Sequence, residues 1–217
     1  MKTAVVIGAT GLVGTQLVQL LLADDRFAKV IVFGRRSVSI NNSKLEEHLI
    51  DFDKPGTWQH LVKGDVFFST LGSTLKQAGG QNAQYKIDFT YQYQFAQAAA
   101  QNGVPVYVLV SSSGANPNSL LFYTRMKGTL EQEVKKLPFS SIYLLQPGPL
   151  EGHRTEGRMG EKYGVKLIKS FNAAGLFKKY CPIQGKIVAT AMINASLAAT
   201  PRIHVYALNE IFSLAGE

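Results

Sequence analysis

Lys2-Thr3-Ala4-Val5-Val6-Ile7-Gly8-Ala9-Thr10-Gly11-Leu12-Val13-Gly14 begins with a β-branched run, turns on three glycines, and enters a leucine- and valine-rich stretch that continues to Ala23. A strand, a glycine turn and a helix in that order form the phosphate end of a dinucleotide-binding unit. The glycines allow a tight turn and a close ligand approach, while the helix N-terminus offers free N–H groups and the positive end of its dipole to a pyrophosphate. Gly8, Thr10, Gly11, Leu12, Val13 and Gly14 are therefore candidate cofactor-binding residues.

Downstream, strands read at residues 29–33, 48–50, 66–69, 104–110 and 140–145, with helices at 12–23, 82–101 and 119–136. This alternation predicts an α/β, Rossmann-like, doubly wound parallel sheet with helices on both faces. After Gln146-Pro147-Gly148-Pro149 the pattern loosens until a small-residue helix at 185–199, and the apolar run 203–208 reads as a last strand. Residues 1–217 thus read as one domain, with 149–185 as a small substrate-side elaboration and no repeat or linker.

Composition agrees with a globular protein: 46% of residues are hydrophobic and 18% charged, which excludes a disordered or collagen-like chain. The apolar start is broken by glycines and lacks a small-residue cleavage site, so secretion is not expected. No stretch approaches the roughly 18 apolar residues of a spanning helix. A lone Cys181 excludes an internal disulfide and suits a cytoplasmic setting. The net charge of +8 is denser after residue 150. There Arg154, Arg158, Lys162, Lys166 and Lys169 interleave with Glu151, Glu156 and Glu161, the pattern of a solvated helix face rather than a nucleic-acid patch. Trp58, Tyr91, Tyr93 and Phe95 read as packing residues, because no basic residue interleaves with 91–95.

NAD sites commonly carry an acid about 20 residues beyond the glycines, where it grips the ribose hydroxyls. Here the stretch is Phe33-Gly34-Arg35-Arg36, with no carboxylate and two guanidiniums. Arg35 and Arg36 suit a 2′-phosphate, so NADP(H) is expected in preference to NAD(H). The same missing acid weighs against S-adenosylmethionine.

Tyr123 and Lys127 stand four apart on a helical stretch, and so on one face. An ammonium held beside a phenol favours its ionised form, allowing it to exchange a proton with a substrate oxygen. Ser111-Ser112-Ser113-Gly114 ends the preceding strand, at the side of an α/β sheet where ligands bind.

Together these features resemble the short-chain dehydrogenase/reductase superfamily: the glycine turn, a strand-end serine, Tyr-x-x-x-Lys, and Pro147-Gly148 after the sixth strand. Gly34-Arg35-Arg36, Leu71-Gly72-Ser73-Thr74, Ser111-Ser112-Ser113-Gly114-Ala115 and Phe122-Tyr123-Thr124-Arg125-Met126-Lys127-Gly128 are similar to its atypical branch, which includes the Tat-interacting-protein-type oxidoreductases. The match weakens after about residue 155. The resemblance implies Ser112 as the hydrogen-bond donor to the substrate oxygen, with Ser111 and Ser113 as its neighbours. It implies Tyr123 as acid/base and Lys127 as its partner and a cofactor-ribose ligand. It also implies Asp51 and Phe52 near the adenine, Thr70, Leu71, Gly72 and Ser111 along the cofactor, and Pro147 and Gly148 beside the nicotinamide. On their own residues, Asp51 also reads as a strand-end turn former and 70–73 as a polar loop. Many relatives have Arg before the Pro-Gly; this chain has Gln146.

His48, His60, His153 and His204 show no metal-ligand spacing, so no metal site is expected. No Gly-x-Ser-x-Gly elbow or Gly-Lys-Ser/Thr turn is present, which weighs against such hydrolases and P-loop NTPases. The expectation is an NADP(H)-dependent oxidoreductase acting on a small carbonyl or alcohol. The alternatives are an NADP(H)-binding regulator or redox sensor with a protein partner, and, behind it, a nucleotide-sugar epimerase or dehydratase. A homodimer is compatible with all three.

Overall fold

Successive residues of a strand face opposite sides of its sheet, and in this chain both sides are apolar. In β1 (Lys2–Ile7), Ala4 and Val6 join one buried cluster while Val5 and Ile7 join another. Such two-sided burial is what a parallel sheet covered by helices requires.

The computed structural model describes residues 1–151, 182–198 and 200–217. After β1 come α1 (Leu12–Ala23), β2 (Phe27–Gly34), β3 (Leu45–Leu49), β4 (Val66–Ser69), α2 (Leu75–Ala78) and α3 (Gln81–Tyr85). A π-helical turn, Lys86–Tyr91, runs into α4 (Gln92–Gln101), followed by β5 (Val106–Val110), α5 (Phe122–Val134) and β6 (Ser141–Gln146). The chain continues through β7 (Leu150–Glu151), β8 (Ile183–Gln184), α6 (Gly185–Leu197), β9 (Arg202–Ala207) and α7 (Asn209–Ala215).

Seven strands pair in parallel in the order β3-β2-β1-β4-β5-β6-β9, a Rossmann-like α/β sheet. α1, α6 and α7 pack one face against Val6, Val32, Phe68, Val108 and Leu145. α4 and α5 cover the other, where Trp58 stacks on Phe95 with ring centroids 3.9 Å apart beneath Phe33, Phe67 and Phe52. Burying each side chain of this size stabilises the fold by roughly 1.5–3 kcal/mol.

Several boundaries differ from those read in the sequence. β3 lies at Leu45–Leu49 rather than 48–50, because Glu46 and Glu47 sit on an edge where Lys29 and Val38 meet them. The stretch read as one helix over 82–101 holds a π-helical turn, to whose Asp88 carbonyl the side chain of Gln92, the first residue of α4, donates at 2.7 Å. α5 begins at Phe122 rather than 119, since Arg125 Nη1 folds back to the Ser119 and Leu120 carbonyls and holds a turn there. α7 was not anticipated at all.

Of the elaboration read at 149–185, only its ends are described, β7 and β8, which pair in parallel with Leu150 opposite Ile183. The basic helix face and Cys181 read in the sequence lie outside the described residues. Among the described residues no helix is long and apolar enough to cross a membrane, and no group of three His, Cys, Asp or Glu is placed to hold a metal.

Candidate cofactor and catalytic site

The six strands from β3 to β6 run the same way, so the loops leaving their C-terminal ends form one continuous rim. Every candidate residue from the sequence lies on that rim or on the helix that follows it.

The glycine turn is crowded by backbone, which is why it needs glycine. Gly8 has φ +80°, and a Cβ there would stand 2.4 Å from the Leu71 nitrogen. A Cβ on Gly14 would stand 2.1 Å from the Gly8 oxygen and 2.7 Å from Thr70 Oγ1. Thr70 in turn donates its hydroxyl to the Ile7 carbonyl at 2.8 Å, tying the end of β4 to the end of β1. Gly11 is the N-cap of α1 and lends no side chain; the first turn carries no acid either. Thr10 is exposed, Leu12 partly so, and Val13 turns into the core. An uncapped helix start behind a glycine-rich turn is the donor set a pyrophosphate fits.

Arg35 and Arg36 leave β2 exposed, and neither guanidinium forms an ion pair among the described residues. Asp51 is exposed after β3, where its Oδ1 accepts from the Asp53 N–H at 3.0 Å, a turn-forming contact. Phe52 is buried against Tyr91 and Phe95. Leu71 is half-buried and Gly72 exposed on the loop after β4, and the next residue, Ser73, donates its N–H to the buried Asp88 at 2.9 Å.

Around α5 the picture tightens. Gly128 is wedged under the loop from β5: a Cβ there would be 2.3 Å from both the Asn116 carbon and the Pro117 nitrogen. The Asn116 N–H also donates to the Thr124 carbonyl at 3.0 Å. Ser112 and Ser113 are half-buried on this loop. Tyr123, in the first turn of α5, is 39% exposed, while Lys127, one turn on, is 2% exposed. Its Nζ donates to the Val110 carbonyl at 3.2 Å, and no ion pair to it exists among the described residues. Ser111 is different from its neighbours: it is buried, and its hydroxyl is committed to Glu131. Pro147 is buried and accepts from the Ser113 N–H at 2.9 Å, with Gly148 half-buried beside it.

A family model described as NAD(P)H-binding matches residues 8–137. The chain belongs to this NAD(P)H-binding family. A curated relative, "Protein FMP52, mitochondrial" of Candida glabrata, is 34% identical over 226 residues, covering 98% of this chain and 95% of the relative. Among solved structures, the UDP-N-acetylglucosamine 4-epimerase of Methanobrevibacter ruminantium superposes with TM-score 0.70 at 18% identity, over 98% of this chain and 80% of that one. A short-chain dehydrogenase/reductase superfamily protein from Agrobacterium tumefaciens with bound NAD gives 0.69 at 12% identity, over 94% and 77%. The fold of this family member is thus that of the dehydrogenase/reductase and epimerase superfamily.

The relatives correct one expectation. The cytoplasmic setting is overturned, since the curated relatives are designated mitochondrial. A single cysteine excludes an internal disulfide but does not discriminate between compartments, so the inference drawn from Cys181 was too strong.

Sequence reading missed Glu131, Gln92 and Asp88, all buried polar residues of the rim. Glu131 had a legible signal: it extends Tyr123 and Lys127 by one more step of four along the same helix face.

Proposed function

We propose that the chain is an NADP(H)-dependent oxidoreductase acting on a small carbonyl or alcohol, with Ser112, Tyr123 and Lys127 as its catalytic residues. Lys127 carries this reading. A buried lysine is rare without a paired charge, and among the described residues this one has a single neutral acceptor, leaving two of its three protons for a ligand or Tyr123. Gly8, Gly11 and Gly14 with the start of α1 would hold the pyrophosphate, and Arg35 and Arg36 the 2′-phosphate that separates NADP(H) from NAD(H). Asp51 and Phe52 lie toward the adenine, Thr70 to Gly72 along the cofactor, and Pro147 and Gly148 beside the nicotinamide.

Bound there, the cofactor supplies or accepts a hydride at the substrate carbon. In the reductive direction the Tyr123 hydroxyl gives its proton to the carbonyl oxygen as the C=O bond becomes single. Ser112 donates a hydrogen bond to that oxygen, Lys127 stabilises the phenolate left behind, and the half-exposed phenol regains its proton from solvent. The designation of the relatives supports a mitochondrial setting for this chemistry.

The test is a panel of aldehydes and ketones with NADPH, followed at the cofactor absorbance. Tyr123→Phe is expected to lower turnover by at least about 10²-fold, the range of a lost general acid. Turnover that ignores this change removes the assignment. In calorimetric titration, Arg35→Ala combined with Arg36→Ala is expected to weaken NADPH binding by about tenfold or more while leaving NADH unchanged; equal wild-type affinity for the two dinucleotides sinks the preference.

A further inference from the structure

Glu131 is 5% exposed on α5, and the proposed chemistry makes no use of it. Its carboxylate gathers donors from three places. Ser111, the first residue past β5, donates its hydroxyl at 2.5 Å. Gln146, the last residue of β6, donates Nε2 to both oxygens, at 2.9 and 3.1 Å. Lys135, the residue that follows α5, brings its ammonium to 3.9 Å. A buried carboxylate is costly unless hydrogen-bonded and charge-compensated, and here the partners come from the exit of β5, the end of β6 and the C-terminal end of α5.

The neighbouring contacts give this cluster its meaning. One turn earlier on α5, Lys127 holds the Val110 carbonyl, so two consecutive residues of the β5 exit are tied to the helix by side chains four apart. The backbones of the two strand ends are themselves joined, by Ser111 N–H to Leu145 O at 2.7 Å and Ser113 N–H to Pro147 O at 2.9 Å. Ser112 lies between those two bonds, and Pro147-Gly148 directly follows Gln146. An arginine in place of Gln146 would meet the same carboxylate with two parallel N–H groups. This chain uses an amide there and draws the positive charge from Lys135.

We propose that Glu131 is a positioning residue that clamps the ends of β5 and β6 together beneath Ser112 and Pro147-Gly148. Its catalytic consequence rests on the oxidoreductase reading; its structural consequence rests on the contacts alone.

Hydrogen exchange on the full chain, read by mass spectrometry, tests the clamp through the Ser111 and Ser113 amides. Glu131→Leu keeps most of the volume and removes the acceptors, and is expected to speed exchange at 111–113 and at the Gln146 and Gly148 amides by about tenfold or more, with the rest of the sheet unchanged. Glu131→Gln is expected to stay within about threefold of wild type, because its amide oxygen accepts from Ser111 while its NH₂ donates to a rotated Gln146. Ser111→Ala, which keeps the carboxylate compensated by Gln146 and Lys135, is expected to speed exchange at 111–113 only. Unchanged exchange in Glu131→Leu and Ser111→Ala, or an increase spread evenly over the chain, overturns the proposal.

Turnover supplies the second arm. In an enzyme whose activity depends on Tyr123, Glu131→Leu should lower kcat by about 10²-fold, the effect of an ångström-scale misplacement, with KM little changed and Glu131→Gln restoring the rate. A loss confined to KM, or none, also counts against the clamp. If no turnover depends on Tyr123, the oxidoreductase reading falls, and the exchange result still decides Glu131.

Discussion

Tyr107 shows how one residue sets a pH dependence for the fold. It is fully buried between Phe67 and Phe139, and its hydroxyl has no hydrogen-bond partner among the described residues. Burial pushes the phenol well above its ordinary value; nearby Ser69 opposes this only partly, its own proton being committed to Gln92. A folded-state value raised in this way contributes stability that is complete below the unfolded phenol's range, near pH ~10, and is lost as pH climbs past it. Tyr107→Phe removes both the unpaired hydroxyl and the titration. It is expected to raise stability by about 1 kcal/mol at neutral pH and to flatten the alkaline fall of the thermal midpoint above pH ~10; a lowered midpoint at pH 7 would contradict this account. Gly14→Ala probes the opposite case, a place with no room, since a Cβ would meet the Gly8 oxygen at 2.1 Å. Overpacking there should cost about 1–3 kcal/mol, measured by chemical denaturation.

Among the elements, α5 does the most to shape the site. It carries Tyr123, Lys127 and Glu131 at successive turns, and Gly128 lets the loop after β5 lie against it. Gly128→Ala is therefore expected to lift residues 112–117 off the helix, with a loss of about 1–3 kcal/mol and a larger proportional loss of turnover than of cofactor affinity. The comparison of kcat with NADPH affinity in that variant checks it. The π-helical turn before α4 has a related role: it buries Asp88 beneath Ser73 and Gln92 beside Ser69, anchoring the loop after β4. Such turns recur at functional sites.

At the scale of the whole molecule, a ligand on the rim would touch loops from β1, β2, β3, β4, β5 and β6, most of the sheet's width. Binding to the folded state alone then stabilises the chain by mass action, about 2.7 kcal/mol at a hundredfold excess over Kd. For a chain of this size the thermal midpoint is expected to rise by about 5–10 °C with NADPH. The rise should vanish in Gly14→Ala even at temperatures where that variant remains folded. A midpoint insensitive to the dinucleotide would rule out a cofactor site on the rim.

The parallel sheet and the location of the rim could be read from sequence, because alternation of apolar strands with helices, and glycines after the first strand, depend on local chemistry and short spacing. Lys2–Ile7 followed by Gly8, Gly11 and Gly14 was enough to order β1 and α1, and the spacing of Tyr123 and Lys127 put both on one helix face. Arg35 and Arg36 were likewise legible as a pair of cations after a strand. The burial of Lys127, the turning inward of Ser111 and the meeting of Glu131 with Gln146 were not, since each joins residues 15 to 20 apart whose contact exists only once β5, β6 and α5 have packed. Adjacent serines 111, 112 and 113 are chemically identical in sequence; a buried carboxylate reached from another element is what makes the first a structural anchor, while the second stays half-buried with its hydroxyl on the Ser113 carbonyl.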